Sequence, residues 1–189
     1  MAHFRVLSGL LLAGLVAVVA PAGPALALDE SDRLFLVGGK AFDDGLYPLS
    51  RRMLERFVEK FPTDPRAGDA MLVLGKARLS MGASEQALDA FKKALAMTPV
   101  PGKPQEARFW EAETLFKMKR YNDARTDYAR VTAAEPPSPL LPDALYGLGW
   151  TDLELKKRDA AVSDFKRLIK EFPDHVTAPP AAIQLGRAL

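Results

Sequence analysis

The chain has 189 residues, carries 26 Lys and Arg against 24 Asp and Glu for a formal net charge of +2, and contains no cysteine. So even a balance gives no general attraction to nucleic acid or to an anionic membrane, and neither is expected as a partner. Without cysteine, the sequence offers no disulfide, no thiolate nucleophile or metal ligand, and no acceptor for an N-terminal lipid.

The first 27 residues are predicted to be a cleaved secretory signal peptide. Arg5 precedes an almost wholly apolar run over residues 6–20, which is shorter than the roughly 20 residues that a membrane-spanning helix needs. Ala25-Leu26-Ala27 then has the small residues of a signal-peptidase site. We therefore expect a periplasmic mature chain without a membrane span. An extracellular location, or a membrane tether formed by an uncleaved leader, is the alternative.

After this leader the sequence repeats itself with a constant step of 37 residues. The step joins four prolines, Pro62, Pro99, Pro136 and Pro173. It joins five small residues, Gly38, Gly75, Ala112, Gly149 and Gly186. It also joins four large residues, Leu54, Phe91, Tyr128 and Phe165. A fixed internal period of 20–50 residues is typical of solenoids.

Within each unit, apolar residues at helical spacing predict two helices separated by a short turn. The four predicted units cover about residues 31–62, 65–99, 103–136 and 140–173, and a final helix covers about 177–189. The sequence therefore predicts an all-α solenoid of antiparallel helix pairs, with residues 28–189 as one domain. The pattern is interrupted at Leu189, so the final segment is either a single capping helix or a unit that further residues complete or a partner covers.

Residues related by the 37-residue step form columns when the units are aligned. These columns resemble the tetratricopeptide repeat (TPR) family. Small residues stand twelve positions apart, as in Gly75 and Ala87, and Leu-Gly pairs such as Leu148-Gly149 match the family's first-helix signature. The usual period is about 34 residues, and the extra residues here lie in proline-rich connectors. These connectors, and unit endings such as residues 59–64, resemble bacterial envelope TPR proteins, namely the periplasmic Tol-Pal-associated type and the lipoprotein type of outer-membrane assembly.

The resemblance implies a scaffold that binds a protein or peptide in a concave groove lined by the first helix of each pair. Column positions in the third and fourth units then give the candidate partner-binding residues, Phe109, Glu113, Phe116, Lys117, Tyr146 and Trp150. Aromatic side chains in a groove are good anchors for a peptide or a helix. The alternative for these aromatic residues is that they fill the core between helices, which is the role expected of Trp110.

The sequence predicts no catalytic activity and no cofactor or metal site. It contains no Gly-rich phosphate loop, metal-ligand cluster or nucleophile motif, and carboxylates at helical spacing, such as Glu111 and Glu113, are typical of ordinary helix surfaces. Two further interpretations remain open. One is a self-assembling array that stacks through residues 185–189, and the other is an accessory module of a cell-envelope enzyme complex. The sequence leaves the identity of the partner and the oligomeric state open.

Overall fold

Nine α-helices and no β-strand occur in the residues that the computed structural model describes, 28–97 and 103–189. In chain order the helices are α1 (Glu30–Asp43), α2 (Tyr47–Lys60), α3 (Ala67–Ser80), α4 (Ser84–Ala96), α5 (Pro104–Lys117), α6 (Tyr121–Thr132), α7 (Leu141–Glu154), α8 (Arg158–Glu171) and α9 (Ala178–Ala188). The predicted signal peptide, over residues 1–27, and Pro99 lie outside the described residues.

The helices form four consecutive pairs, α1–α2, α3–α4, α5–α6 and α7–α8, followed by α9. Local sequence explains where several of them begin and end. Proline stands in the first turn of α2, α5, α7 and α9, where a missing backbone N–H leaves no helical hydrogen bond unmade. Gly45 and Gly82 adopt positive φ angles of 73° and 79° in the turns that connect α1 to α2 and α3 to α4. The predicted all-α solenoid of helix pairs is confirmed.

The column of small residues lets the two helices of a pair approach closely. A Cβ atom at Gly75 would lie 2.5 Å from the ring of Phe91, and one at Gly149 would lie 2.6 Å from the ring of Phe165. Both distances are far below van der Waals contact, so a larger residue would force the ring to move. The repeated glycine and the repeated large residue are therefore two halves of one packing contact.

The first helices of the pairs line one side of the array. Helix α1 contacts α3, α3 contacts α5, and α5 contacts α7, in addition to the contacts within and between neighbouring pairs. In the described part of the chain no comparable contacts join successive second helices. Because elements on the inside of a curved stack are closer together, α1, α3, α5 and α7 form the concave face.

Candidate partner-binding site

A cavity of about 480 Å³ lies on this concave face, between α5 and α7. We call it the Trp150 cavity. Its lining residues come from α5, α6 and α7 and are Glu113, Phe116, Tyr128, Tyr146, Gly147, Trp150 and Glu154. Four of the six candidate residues, Glu113, Phe116, Tyr146 and Trp150, are thus brought together around one opening. Their role in binding stays a prediction.

The other two candidate residues lie elsewhere. Phe109 is only 7% exposed and belongs to the core of the third repeat. Its ring packs 5.5 Å from the ring of Trp110 and 6.0 Å from the ring of Tyr128, measured between centroids. We therefore correct the expectation for Phe109, which is a core residue because α6 covers it. Lys117 is exposed at the last position of α5 and does not line the cavity.

Tyr146 and Trp150 form an aromatic wall along α7. They lie one helical turn apart, with ring centroids separated by 6.4 Å and ring planes at 83°, the edge-to-face arrangement that aromatic pairs favour. Tyr146 also lies 6.1 Å from the ring of Phe165 in the core of the fourth repeat. Both side chains therefore combine the two roles that the sequence left as alternatives, because each is partly buried against the core and also lines the cavity.

Glu113 places a carboxylate inside the cavity. The hydroxyl of Tyr128 donates a hydrogen bond to Glu113 Oε1. Burial raises the pKa of Glu113 above its ordinary value, and the hydrogen bond from Tyr128 acts in the opposite direction. Burial and the neighbouring carboxylate likewise raise the pKa of Tyr128. The Glu113 carboxyl group is therefore a positioned, partly desolvated hydrogen-bond acceptor that lines the same cavity as the aromatic wall.

Gly147 allows Tyr128 to reach Glu113. A Cβ atom at Gly147 would lie 2.5 Å from the ring of Tyr128, so no larger residue fits there without moving the ring. The same step of the repeat puts Trp110 and Val73 at the equivalent positions in the preceding units. Gly147 therefore differs from its column, and its missing side chain leaves the space that the Tyr128 ring and hydroxyl occupy.

A second carboxylate, that of Glu154, lines the cavity at the end of α7 and is exposed. Neither lysine nor arginine occurs among the described residues that line the Trp150 cavity. The opening therefore combines aromatic side chains with two carboxyl groups and no lining cation. In the described residues no cluster of three or more His, Cys, Asp or Glu side chains is arranged to hold a metal ion. None of the described helices is long and apolar enough to cross a membrane.

Comparison with known families identifies the repeats. Two family models, both described as tetratricopeptide repeat, match the chain, one over residues 106–138 and 143–175 and the other over residues 40–104. Together the matched segments cover more than half of the sequence. The chain belongs to the tetratricopeptide repeat family, a family of helical scaffolds for protein–protein interaction.

Solved TPR structures share this fold. MamA superposes with a TM-score of 0.70 at 20% sequence identity, over 84% of this chain and 80% of that one. YrrB, described as a TPR protein with an unusual peptide-binding site, superposes with a TM-score of 0.65 at 23% identity, over 80% of this chain and 74% of that one. PilF of Pseudomonas aeruginosa superposes with a TM-score of 0.69 at 19% identity, over 85% of this chain and 68% of that one. A search of curated protein sequences gave no match.

Proposed function

We propose that this TPR protein is a non-catalytic adaptor of the bacterial cell envelope that binds a segment of a partner protein in the Trp150 cavity. The observation that carries the proposal is the cavity itself, where the aromatic wall of Tyr146 and Trp150 faces the Glu113 carboxylate on the concave side of the array. Partly buried aromatic side chains beside a fixed polar group are typical of peptide-binding pockets. The fold shared with the peptide-binding protein YrrB supports this interpretation.

The periplasmic location is part of the proposal and rests on the sequence of residues 1–27. After cleavage behind Ala27, the mature protein begins at Leu28. N-terminal sequencing of the protein recovered from the periplasmic fraction of producing cells tests this directly. Recovery with Met1 in the membrane fraction would support the tethered alternative.

Site-specific photo-crosslinking in intact envelopes tests the binding proposal. A photoreactive amino acid in place of Phe116, which lines the cavity, should give a discrete crosslinked product that mass spectrometry identifies. The same amino acid in place of Glu85, an exposed residue in the first turn of α4, should not give that product. A product that forms equally at both positions would contradict binding in the cavity.

A pair of substitutions on α7 separates lost binding from lost structure. Trp150→Ala should abolish the crosslinked product because it removes one wall of the cavity. Leu153→Ala removes a partly buried residue from the same core cluster without touching the cavity, so the product should persist. If both variants lose the product, and both lose helix content by circular dichroism, the effect reflects unfolding of the fourth repeat.

Exposed apolar residues at the two ends of the described array favour a second candidate function, self-association. In α9 the side chain of Ile183 is 58% exposed and that of Leu189, which follows it, is 80% exposed, while Leu36 in α1 is 51% exposed. Light scattering over a range of protein concentrations should show dimers or longer assemblies, and Ile183→Asp should remove them. A monomer at all concentrations would contradict this candidate.

A further inference from the structure

We infer that the Trp150 cavity receives an arginine or lysine side chain that a segment of the partner protein presents. The inference rests on the proposed function, and it specifies the chemistry of the partner. Three observations carry it: the way in which the chain holds one of its own lysines, the equivalence of two cavities in the repeat, and the charge of the Trp150 cavity.

The chain already binds a cation with this chemistry in a second cavity of about 450 Å³, which lies between α1 and α3 and contains Lys76. Lys76 Nζ lies 5.1 Å from the ring centroid of Phe42 and 5.5 Å from that of Trp110. It also donates a hydrogen bond of 2.9 Å to the carboxylate of Glu106. Two aromatic rings and one carboxylate thus hold an ammonium group that is mostly withdrawn from solvent.

The two cavities occupy equivalent places in the array, separated by two steps of the repeat. Phe42 corresponds to Phe116, and both line their cavities. Lys76, by contrast, corresponds to Trp150. The cation of the first cavity is thus replaced by a further aromatic ring in the second. The Trp150 cavity keeps one ring of such a site in Phe116, while Gln184 stands at the position equivalent to Trp110. Tyr146 and Trp150 supply further rings, and the lining residues include no cation.

Carboxylates give the Trp150 cavity its charge. Glu113 and Glu154 line it, and the charge of Asp143, in the first turn of α7, also acts on Glu113. His175 Nε2 lies 4.0 Å from Asp143 Oδ2 and carries charge only when it is protonated. An entirely apolar partner would cover Glu113 and Glu154 without compensating them, which is costly. A guanidinium or ammonium group would instead pair with a carboxylate and lie against the rings of Tyr146 and Trp150.

Peptide selection on the full chain tests the inference. Random dodecapeptides displayed on phage are selected for binding, and those whose binding is lost with Trp150→Ala are kept as ligands of the cavity. We expect these ligands to share an arginine or lysine. Replacement of an arginine by citrulline, or of a lysine by norleucine, removes the charge and should weaken binding about tenfold or more.

Glu154→Gln supplies the matched change in the protein. Because Glu154 is exposed at the end of α7, the substitution should leave the fold intact. It should weaken binding of the charged peptide but not binding of its neutral counterpart. Glu59→Gln, at an exposed position of α2, is the control and should change the binding of neither peptide. Cavity ligands that bind equally well with the neutral residue would overturn this inference and leave the proposed function intact. Absence of any peptide sensitive to Trp150→Ala would overturn both.

Discussion

The hydroxyl of Tyr128 on α6 donates a hydrogen bond to the carboxylate of Glu113 on α5, and this contact joins the core of the third repeat to the Trp150 cavity. Tyr128 is 1% exposed and packs with the other large residues of its repeat. Its hydroxyl nevertheless lines the cavity, next to Gly147. The position of the Glu113 carboxylate is therefore set by a buried core residue.

Tyr128→Phe should destabilise the protein because it leaves the partly buried Glu113 carboxylate without its donor. Hydrogen bonds to charged groups contribute about 1.5–3 kcal/mol, and we expect a loss in that range at pH 7 from urea unfolding followed by circular dichroism. The ring itself fits unchanged beside Gly147. Binding of a cavity ligand should also weaken, because the Glu113 side chain is freed to reorient.

The pH dependence of this loss identifies the charge on Glu113 as its cause. Burial raises the pKa of Glu113 in the folded protein, and the Tyr128 hydroxyl counteracts this rise, so Tyr128→Phe raises that pKa further. A folded-state pKa above the unfolded value favours folding at low pH, and this contribution is lost as the pH rises. The deficit should therefore be smaller at pH 4 than at pH 7. An equal deficit at both pH values would contradict a role for the ionised carboxylate.

The repeat columns predict the fold almost completely, because each column stands for a packing contact. Gly75 with Phe91, and Gly149 with Phe165, are the close contacts that a small and a large residue at constant spacing imply. A solenoid packs only neighbouring units together, so local patterns determine most of its structure.

The Trp150 cavity could be predicted only in part. Tyr128 and Gly147 also line it, and the repeat pattern does not indicate this role for either residue. Tyr128 occupies a core column, and only its hydroxyl reaches the concave face. That reach depends on Gly147, where the preceding units have Trp110 and Val73. The departure of Gly147 from its column was the available signal. Phe109 fits its groove column equally well, but the aromatic packing of the third repeat buries it.

Gly149→Ala should lower stability because the new methyl group would meet the Phe165 ring at 2.6 Å. Overpacking of this kind costs about 1–3 kcal/mol. Gly186→Ala is the matched control, since the same column position in α9 has no atom within 4 Å of an added Cβ. There, the higher helix propensity of alanine should have a stabilising effect of up to about 1 kcal/mol. Thermal unfolding should show opposite shifts, and equal shifts would contradict the packing role of the glycine column.

Asp164 on α8 should make stability fall as the pH rises between about 4 and 6. Burial, together with the charge of Asp152 on α7, raises the pKa of Asp164 to about 6, while Arg125 on α6 and Arg167 on α8 act to lower it. Because the folded state holds a proton that the unfolded state has lost, Asp164 stabilises the fold below this interval and ceases to do so above it.

Asp164→Asn removes this titration. The stability of the variant, relative to that of the natural protein, should therefore improve from pH 4 to pH 7. Unfolding curves at several pH values measure the difference, and NMR titration of the Asp164 carboxyl group gives its midpoint independently. A variant that keeps the same slope as the natural protein between pH 4 and 6 would show that another group is responsible.

Arg125 and Asp152 form an ion pair at a position that is apolar in the preceding unit. Arg125 Nε donates a hydrogen bond of 2.6 Å to Asp152 Oδ1, and the Asp152 side chain is fully buried. One step earlier in the repeat the equivalent residues are Leu88 and Leu115, which lie in one hydrophobic cluster. Equivalent positions between neighbouring helix pairs thus hold an ion pair between α6 and α7 but two leucines between α4 and α5.

Arg125→Leu should therefore destabilise the protein by about 3 kcal/mol at pH 7, because it leaves a buried carboxylate without its cation. The double variant Arg125→Leu with Asp152→Leu should recover most of this loss or exceed the natural stability, since leucines already fit at the equivalent position. Arg167→Leu is the control, because its ion pair with Glu171 is exposed and should contribute less than about 1 kcal/mol. With the single variant Asp152→Leu added, the unfolding free energies of the natural protein, the two single variants and the double variant form a double-mutant cycle. If the double variant is no more stable than Arg125→Leu alone, the ion pair has a structural role that leucines cannot replace.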